Sequence, residues 1–194
     1  MIIKQDKYCG AFIHKRFAYE QFRKEVSPVG NIVAFRAPMD VKENLIDLED
    51  TLTDDFIHSA DAINFCWEVP NLGPLGAVSF QRLFNTAIAQ VLSTYIKAPI
   101  AMDGDDLMVQ KTFVGSDGQS RDEGKVSVSI TYSLENIALG HTAINIDAGD
   151  KAPGFAFSSL LTDEEAKGFM HEVIAYFNAE IKDHTDYYST AHMH

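Results

Sequence analysis

The stretch GKVSVSIT, residues 124–131, places a lysine at the head of a strand-like alternation. Ser127, Ser129 and Thr131 fall on one face, and Val126, Val128 and Ile130 on the other. A second alternating run, ALGHTAINID, residues 138–147, carries His141, Ala143, Asn145 and Asp147 on one face. Gly140, Thr142, Ile144 and Ile146 occupy its opposite face. If the polar faces coincide, Lys125, Ser127, Ser129, His141 and Asn145 form one patch. Lys125 would then offer a point charge to a carboxylate or phosphate, and His141 a proton-transfer group. If they do not, the hydroxyl row is a solvated sheet face beside a surface lysine. A one-residue slip in register exchanges the two outcomes, so spacing leaves both open.

Two arginines extend the chemistry. Arg36 ends an apolar run in AFRAPMD, and Arg82 stands near the start of a helix with few charges. A guanidinium in apolar surroundings needs an anionic partner. That partner is either a ligand carboxylate or phosphate gripped by the fork, or a structural acid such as Asp40, Glu43 or Glu68. The acidic runs Asp47, Glu49, Asp50, Asp54, Asp55 and Asp103, Asp105, Asp106 do not have EF-hand spacing, and the second has the composition of a tight turn. No metal site is expected. HExxH, GxSxG, P-loop and GxGxxG signatures are absent from the sequence, and nothing in it selects a cofactor.

The elements that must position these residues follow from periodicity. Asn31–Phe35 reads as a buried strand. Ile63, Phe65, Trp67 and Val69 alternate with Ala62, Asn64, Cys66 and Glu68 as a half-buried strand. A helix is expected from an N-cap at Ser79, with Phe80, Leu83, Phe84, Ala87, Ile88, Val91, Leu92, Tyr95 and Ile96 on its apolar face, ending before Pro99. Its other face (Gln81, Asn85, Thr86, Gln90, Ser93, Thr94) has Arg82 as its one charge, which points to cover by a sheet together with a ligand or a second copy in a homodimer. Thr162 and Glu165 form a capping box for a C-terminal helix. Leu107–Val109 reads as a short strand, Lys111–Gly124 as a mobile lid-like loop, and 125–133 with 138–147 as a hairpin. Strands without regularly interspersed helices imply an α+β fold with a largely antiparallel sheet. One domain is expected over residues 1–184, with a flexible tail at 185–194.

Bulk properties narrow the function classes. The net charge of -12 is uneven: residues 1–25 hold six Lys/Arg against three acids, leaving ten basic and 25 acidic residues elsewhere. So acidic a body is a poor surface for nucleic acid, and the basic start reads as a solvated arm or, as the lesser alternative, one that touches nucleic acid. No apolar run reaches membrane-spanning length. Cys9 and Cys66 form no CxxC pair, and MIIKQDKYCG lacks a secretory signal's apolar segment, so a reduced cytoplasmic setting is expected.

In their order, IVAFRAPMDV, LIDLED, FQRLFNTAIAQVL, DGDDLMV, GKVSVSIT and GHTAINI resemble the uncharacterised prokaryotic domain-of-unknown-function family 366 from about Tyr8 to Phe177. That family resembles in fold the biotin and lipoate protein ligases and the class II aminoacyl-tRNA synthetase core. The resemblance implies a mixed, mostly antiparallel sheet flanked by helices. It also implies a pocket framed by GKVSVSI and LGHTAIN, with Lys125 at the ligase lysine. On this basis Lys125 and His141 are the candidate catalytic residues, and Arg36, Arg82, Ser127, Ser129 and Asn145 the candidate ligand-binding ones. A small anionic ligand (acyl, carboxylate or nucleotide) is expected, with acyl or nucleotidyl transfer as the reaction. A Gly/Arg-rich adenylate loop is not evident in the sequence. The alternative is accordingly a non-catalytic, homodimeric or protein-interaction module that has lost nucleotide binding.

Overall fold

The computed structural model describes residues 1–14, 16–22, 30–42, 45 and 56–191. In chain order the elements are α1 (Ala11–His14), α2 (Phe17–Phe22), β1 (Asn31–Val41), β2 (Ile57–Pro70), α3 (Pro74–Ile96), β3 (Ile100–Asp103), β4 (Asp106–Val109), β5 (Phe113–Val114), β6 (Ser120–Arg121), β7 (Gly124–Lys125), β8 (Ser127–Leu134), β9 (Ile137–Asp147) and α4 (Asp163–Ala191). The main sheet has the order β1-β2-β9-β8, and β3-β4-β7 makes a second. Pairs between these strands are antiparallel, and parallel contacts occur as isolated bridges. This is the expected α+β class.

The larger core lies between the main sheet and α3 and α4. Ile63, Phe65 and Trp67 of β2 meet Phe80 and Phe84 of α3 and Phe169 and Phe177 of α4 there. The opposite face of β2 is buried as well, contrary to a half-buried strand. Its small and polar residues face residues 1–22 rather than solvent. Ala62 and Cys66 join Tyr8, Ala18, Val33 and Phe35 in a second core. Asn64 Nδ2 donates to the carbonyls of Ala37 and Ala62, both at 3.2 Å.

The described part of the basic start is therefore a fastened segment and not a solvated arm. Ile3 N donates to Ala34 O and Tyr8 N to Pro38 O, while Ala34 N and Asp40 N return bonds to Met1 O and Tyr8 O. Lys7 Nζ holds Asp40 at 2.8 Å, and Arg16 Nε lies 3.3 Å from Glu68.

Three boundaries differ from expectation. Helix α3 starts at Pro74, not after Ser79. Gly73 is its extended N-cap, and Pro74 brings a pre-set φ to the first turn, so Ser79 lies inside and bonds back to Leu75 O. Residues 111–124 are a small hairpin, β5–β6, tied by the Arg121–Asp117 fork and by Ser116 Oγ donating to Ala152 O. Helix α4 keeps its capping box, with Thr162 N donating to Glu165 at 2.9 Å, but continues to Ala191 rather than ending near Asp183. The i,i+4 pairs Glu180–His184 and Lys182–Asp186 line its last turns. No described helix is long and apolar enough to cross a membrane.

Candidate functional site

The β8–β9 register decides what the hydroxyl row does. Ser127 lies opposite Ile144, Ser129 opposite Thr142 and Thr131 opposite Gly140, whereas Val128 and Ile130 face Ala143 and His141. Directly opposed residues share a sheet face. The hydroxyls therefore lie on the α3 side, and His141 and Asn145 on the other. The polar faces of the two strands thus do not coincide, although Lys125, Ser127, Ser129, His141 and Asn145 all line one cavity.

The row instead receives the uncharged face of α3. Ser127 Oγ accepts from Leu107 N at 2.9 Å. Asn85 Nδ2 donates to Ser129 Oγ and to Asp105 O, and Gln81 Nε2 also donates to Ser129 Oγ. Thr142 donates to Asn85 Oδ1, so the remaining Ser129–Thr142 contact of 3.1 Å takes its proton from Ser129. The result is a closed ring, Ser129 to Thr142 to Asn85 and back, with every member satisfied. Gln81 and Asn85 carry no charge because they are buried against the sheet. Thr86, Gln90 and Thr94 remain exposed.

A cavity of about 470 Å³ opens on the other face, between the sheet and the N-terminal segment. Ile13, Met39, Val41, Val128 and Ile130 supply apolar wall, and the half-exposed Phe56 and Phe155 stand at its rim. Lys125, Asp105, Asp106, His58, His141 and Asn145 supply polar lining. Ser127 and Ser129 touch the cavity along β8 while their hydroxyls are engaged on the α3 side.

Lys125 reaches this face because the chain changes sheets beside it. Lys125 pairs with Met108 in the second sheet, and Ser127 begins the main one. Val126 makes the transfer: its N–H goes to Leu107 O, and its carbonyl accepts from Asn145 N at 2.9 Å. The Lys125 backbone is clamped on both sides by Phe155 O and Phe157 N. Its ammonium is not free. Nζ sits 2.8 Å from Asp106 Oδ1, with both side chains about one-third exposed. Next to this pair Arg82 holds Asp105 at 3.1 Å.

Asn145 is 4% exposed, and its Oδ1 has no hydrogen-bond partner among the described residues. His141 is 1% exposed and stacks on Tyr8 with ring centroids 3.7 Å apart. Because Asn64 spends its NH₂ on two carbonyls, its Oδ1 must accept, and His141 Nε2–H donates to it at 2.9 Å. Burial pushes the His141 pKa down to about 3, so the ring is neutral near neutral pH and a weak base.

The remaining site candidates are placed elsewhere. Arg36 does not line the cavity. Its fork grips Asp61 at 2.5–3.0 Å, and its Nη1 reaches Asp163 at 2.6 Å, which raises its pKa further above the ordinary guanidinium value. Neither acid is one of the three partners considered from sequence: Asp40 is held by Lys7, Glu68 pairs with Arg16, and Glu43 lies outside the described residues. Arg82 braces the cavity through Asp105 without lining it. The run Asp47–Asp55 lies outside the described residues. Among the described residues no group of three or more His, Cys, Asp or Glu is placed to hold a metal ion. Sequence reasoning missed Asp106 as the lysine's partner and Tyr8 as the cover over His141. Neither is signalled locally, since each contact joins segments far apart in the chain.

The family model of DUF366, a domain of unknown function, matches residues 1–189. The chain belongs to this family. No curated protein matches it. Among solved structures it is similar to a protein of unknown function from Pyrococcus horikoshi, at 23% identity over 94% of this chain and 95% of that one, TM-score 0.72. It is similar in fold to a bipartite lipoate protein ligase from Thermoplasma acidophilum, at 11% identity over 91% and 82% of the two chains, TM-score 0.56. The biotin protein ligase from Aquifex aeolicus in complex with biotin and ATP is also similar, at 11% identity over 93% and 70%, TM-score 0.54. The chain thus shares the ligase fold that its resemblance to family 366 implied.

Proposed function

We propose that the cavity binds a small molecule with an apolar body and an anionic head, an acyl-type carboxylate set against Lys125. The observation that carries this reading is the lining itself: Lys125, paired with Asp106, stands in the same cavity as the apolar side chains of Ile13, Met39, Val41, Val128 and Ile130. The similarity to lipoate and biotin ligases supports an acyl-type ligand, and by fold analogy it extends the reading to acyl or nucleotidyl transfer. In this scheme Lys125 binds the head, Arg82 steadies Asp105 beside it, and Asn145 forms part of the wall. Neutral His141 shapes the wall and does not exchange protons.

Calorimetric titration with hexanoate, octanoate and decanoate tests this. Lys125→Ala should weaken binding about ten-fold or more, the range for a hydrogen bond to a charged group. Its melting should change little, because a part-exposed ion pair contributes at most about 1 kcal/mol. Arg36→Ala, away from the cavity, should keep wild-type affinity. Unchanged affinity in Lys125→Ala would overturn the reading.

A further inference from the structure

We infer that the ligand carries a protonated amine beside its acid group, so that the site accepts a dipolar head, as in an α-amino acid with an apolar side chain. The inference rests on the reading of the cavity as a carboxylate site and names the class of carboxylate it prefers.

Charge is the first argument. Lys125 is the one ammonium or guanidinium among the described lining residues, and Asp105 and Asp106 both line the same cavity. Lys125 is already neutralised by Asp106 at 2.8 Å. A bare carboxylate must share that lysine with Asp106 while lying near a second carboxylate, and like charges at such range oppose binding. A head that brings a positive charge removes the conflict: its carboxylate takes Lys125, and its ammonium takes Asp106.

Hydrogen bonding is the second argument. Lys125 Nζ and Asp106 Oδ1 stand 2.8 Å apart, each side chain about one-third exposed, so a donor and an acceptor lie side by side in the lining. A carboxylate alone has no proton to give Asp106, whereas an ammonium has three. The side chain of the ligand would then lie along Met39, Val41, Val128 and Ile130.

The test compares matched pairs by calorimetry at neutral pH: 2-aminooctanoate against octanoate, and phenylalanine against 3-phenylpropanoate. Each amino acid should bind at least about ten-fold more tightly than its des-amino partner, as expected for a charge-assisted hydrogen bond. In Asp106→Asn that preference should fall toward one, with the des-amino acids binding as well as or better than in wild type. The melting of this variant is followed alongside. Equal or tighter binding of the des-amino acids to wild type would overturn this inference and leave the carboxylate reading standing. Binding of neither series would overturn both.

Discussion

Gly140→Ala is expected to destabilise the fold by about 3 kcal/mol, a large share of the stability of a domain this size. Gly140 lies on β9 directly opposite Trp67 on β2. An ideal Cβ at Gly140 would sit 2.1 Å from Trp67 Cζ2 and 2.3 Å from Cε2, well inside contact distance. The indole has nowhere to retreat. It is 2% exposed and is met edge-on by Phe80 at 5.1 Å and Phe84 at 6.2 Å. The position thus selects glycine by close approach of a side chain, not by backbone angle. Urea denaturation of Gly140→Ala measures the cost. Trp67→Phe, destabilising by itself, should recover part of the loss when combined with Gly140→Ala, because the two share one space. A Gly140→Ala protein that melts like wild type would contradict this packing.

Glu68→Gln and His141→Gln are expected to shift stability in opposite senses with pH. Burial raises the Glu68 carboxyl to about 7, with Arg16 pulling the other way. The folded chain therefore keeps a proton that the unfolded chain releases above about 4.5. Stability from this group is full below that pH and declines as pH rises through about 7. Burial lowers His141 to about 3, so below about 6.5 the unfolded chain takes a proton that the folded chain refuses. Its contribution is full above 6.5 and declines as pH falls.

Between about pH 4.5 and 6.5 the two slopes oppose one another and largely cancel in the wild type. Glu68→Gln removes one of them. It should match wild type near pH 4 and gain about 2 kcal/mol relative to it by pH 8, after allowance for partial solvent screening. His141→Gln should gain relative to wild type as pH falls from 6.5 to 5, again by about 2 kcal/mol. Differences between variant and wild type isolate each group, because the other titrations are shared. Chemical denaturation at half-unit pH steps provides both curves, and flat differences would refute the assignments.

What could be read from sequence was local. The alternation in 125–133 and 138–147, the Thr162–Glu165 box and the apolar face of α3 each depend on residues a few positions apart, and they stand in the structure. The fate of the hydroxyl row was not local. The two-residue turn at Glu135 and Asn136, with φ of 50° and 63°, pairs Leu134 with Ile137 and fixes which strand faces coincide. Arg36 shows the same limit: its partners are 25 and 127 residues away. The placement of Lys125 came from family resemblance, because spacing alone could not show that Val126 transfers the chain from one sheet to the other. Ala62, Asn64 and Cys66 looked solvent-facing because the segment that covers them lies some fifty residues upstream, a distance that periodicity does not register.

The most direct test of the cavity as a ligand site is a crystal structure with the tightest-binding acid from the titrations. The head group should lie about 3 Å from Lys125 Nζ, with the apolar body along Met39, Val128 and Ile130. A ligand bound outside this cavity, or within it with its head turned away from Lys125, would contradict the account.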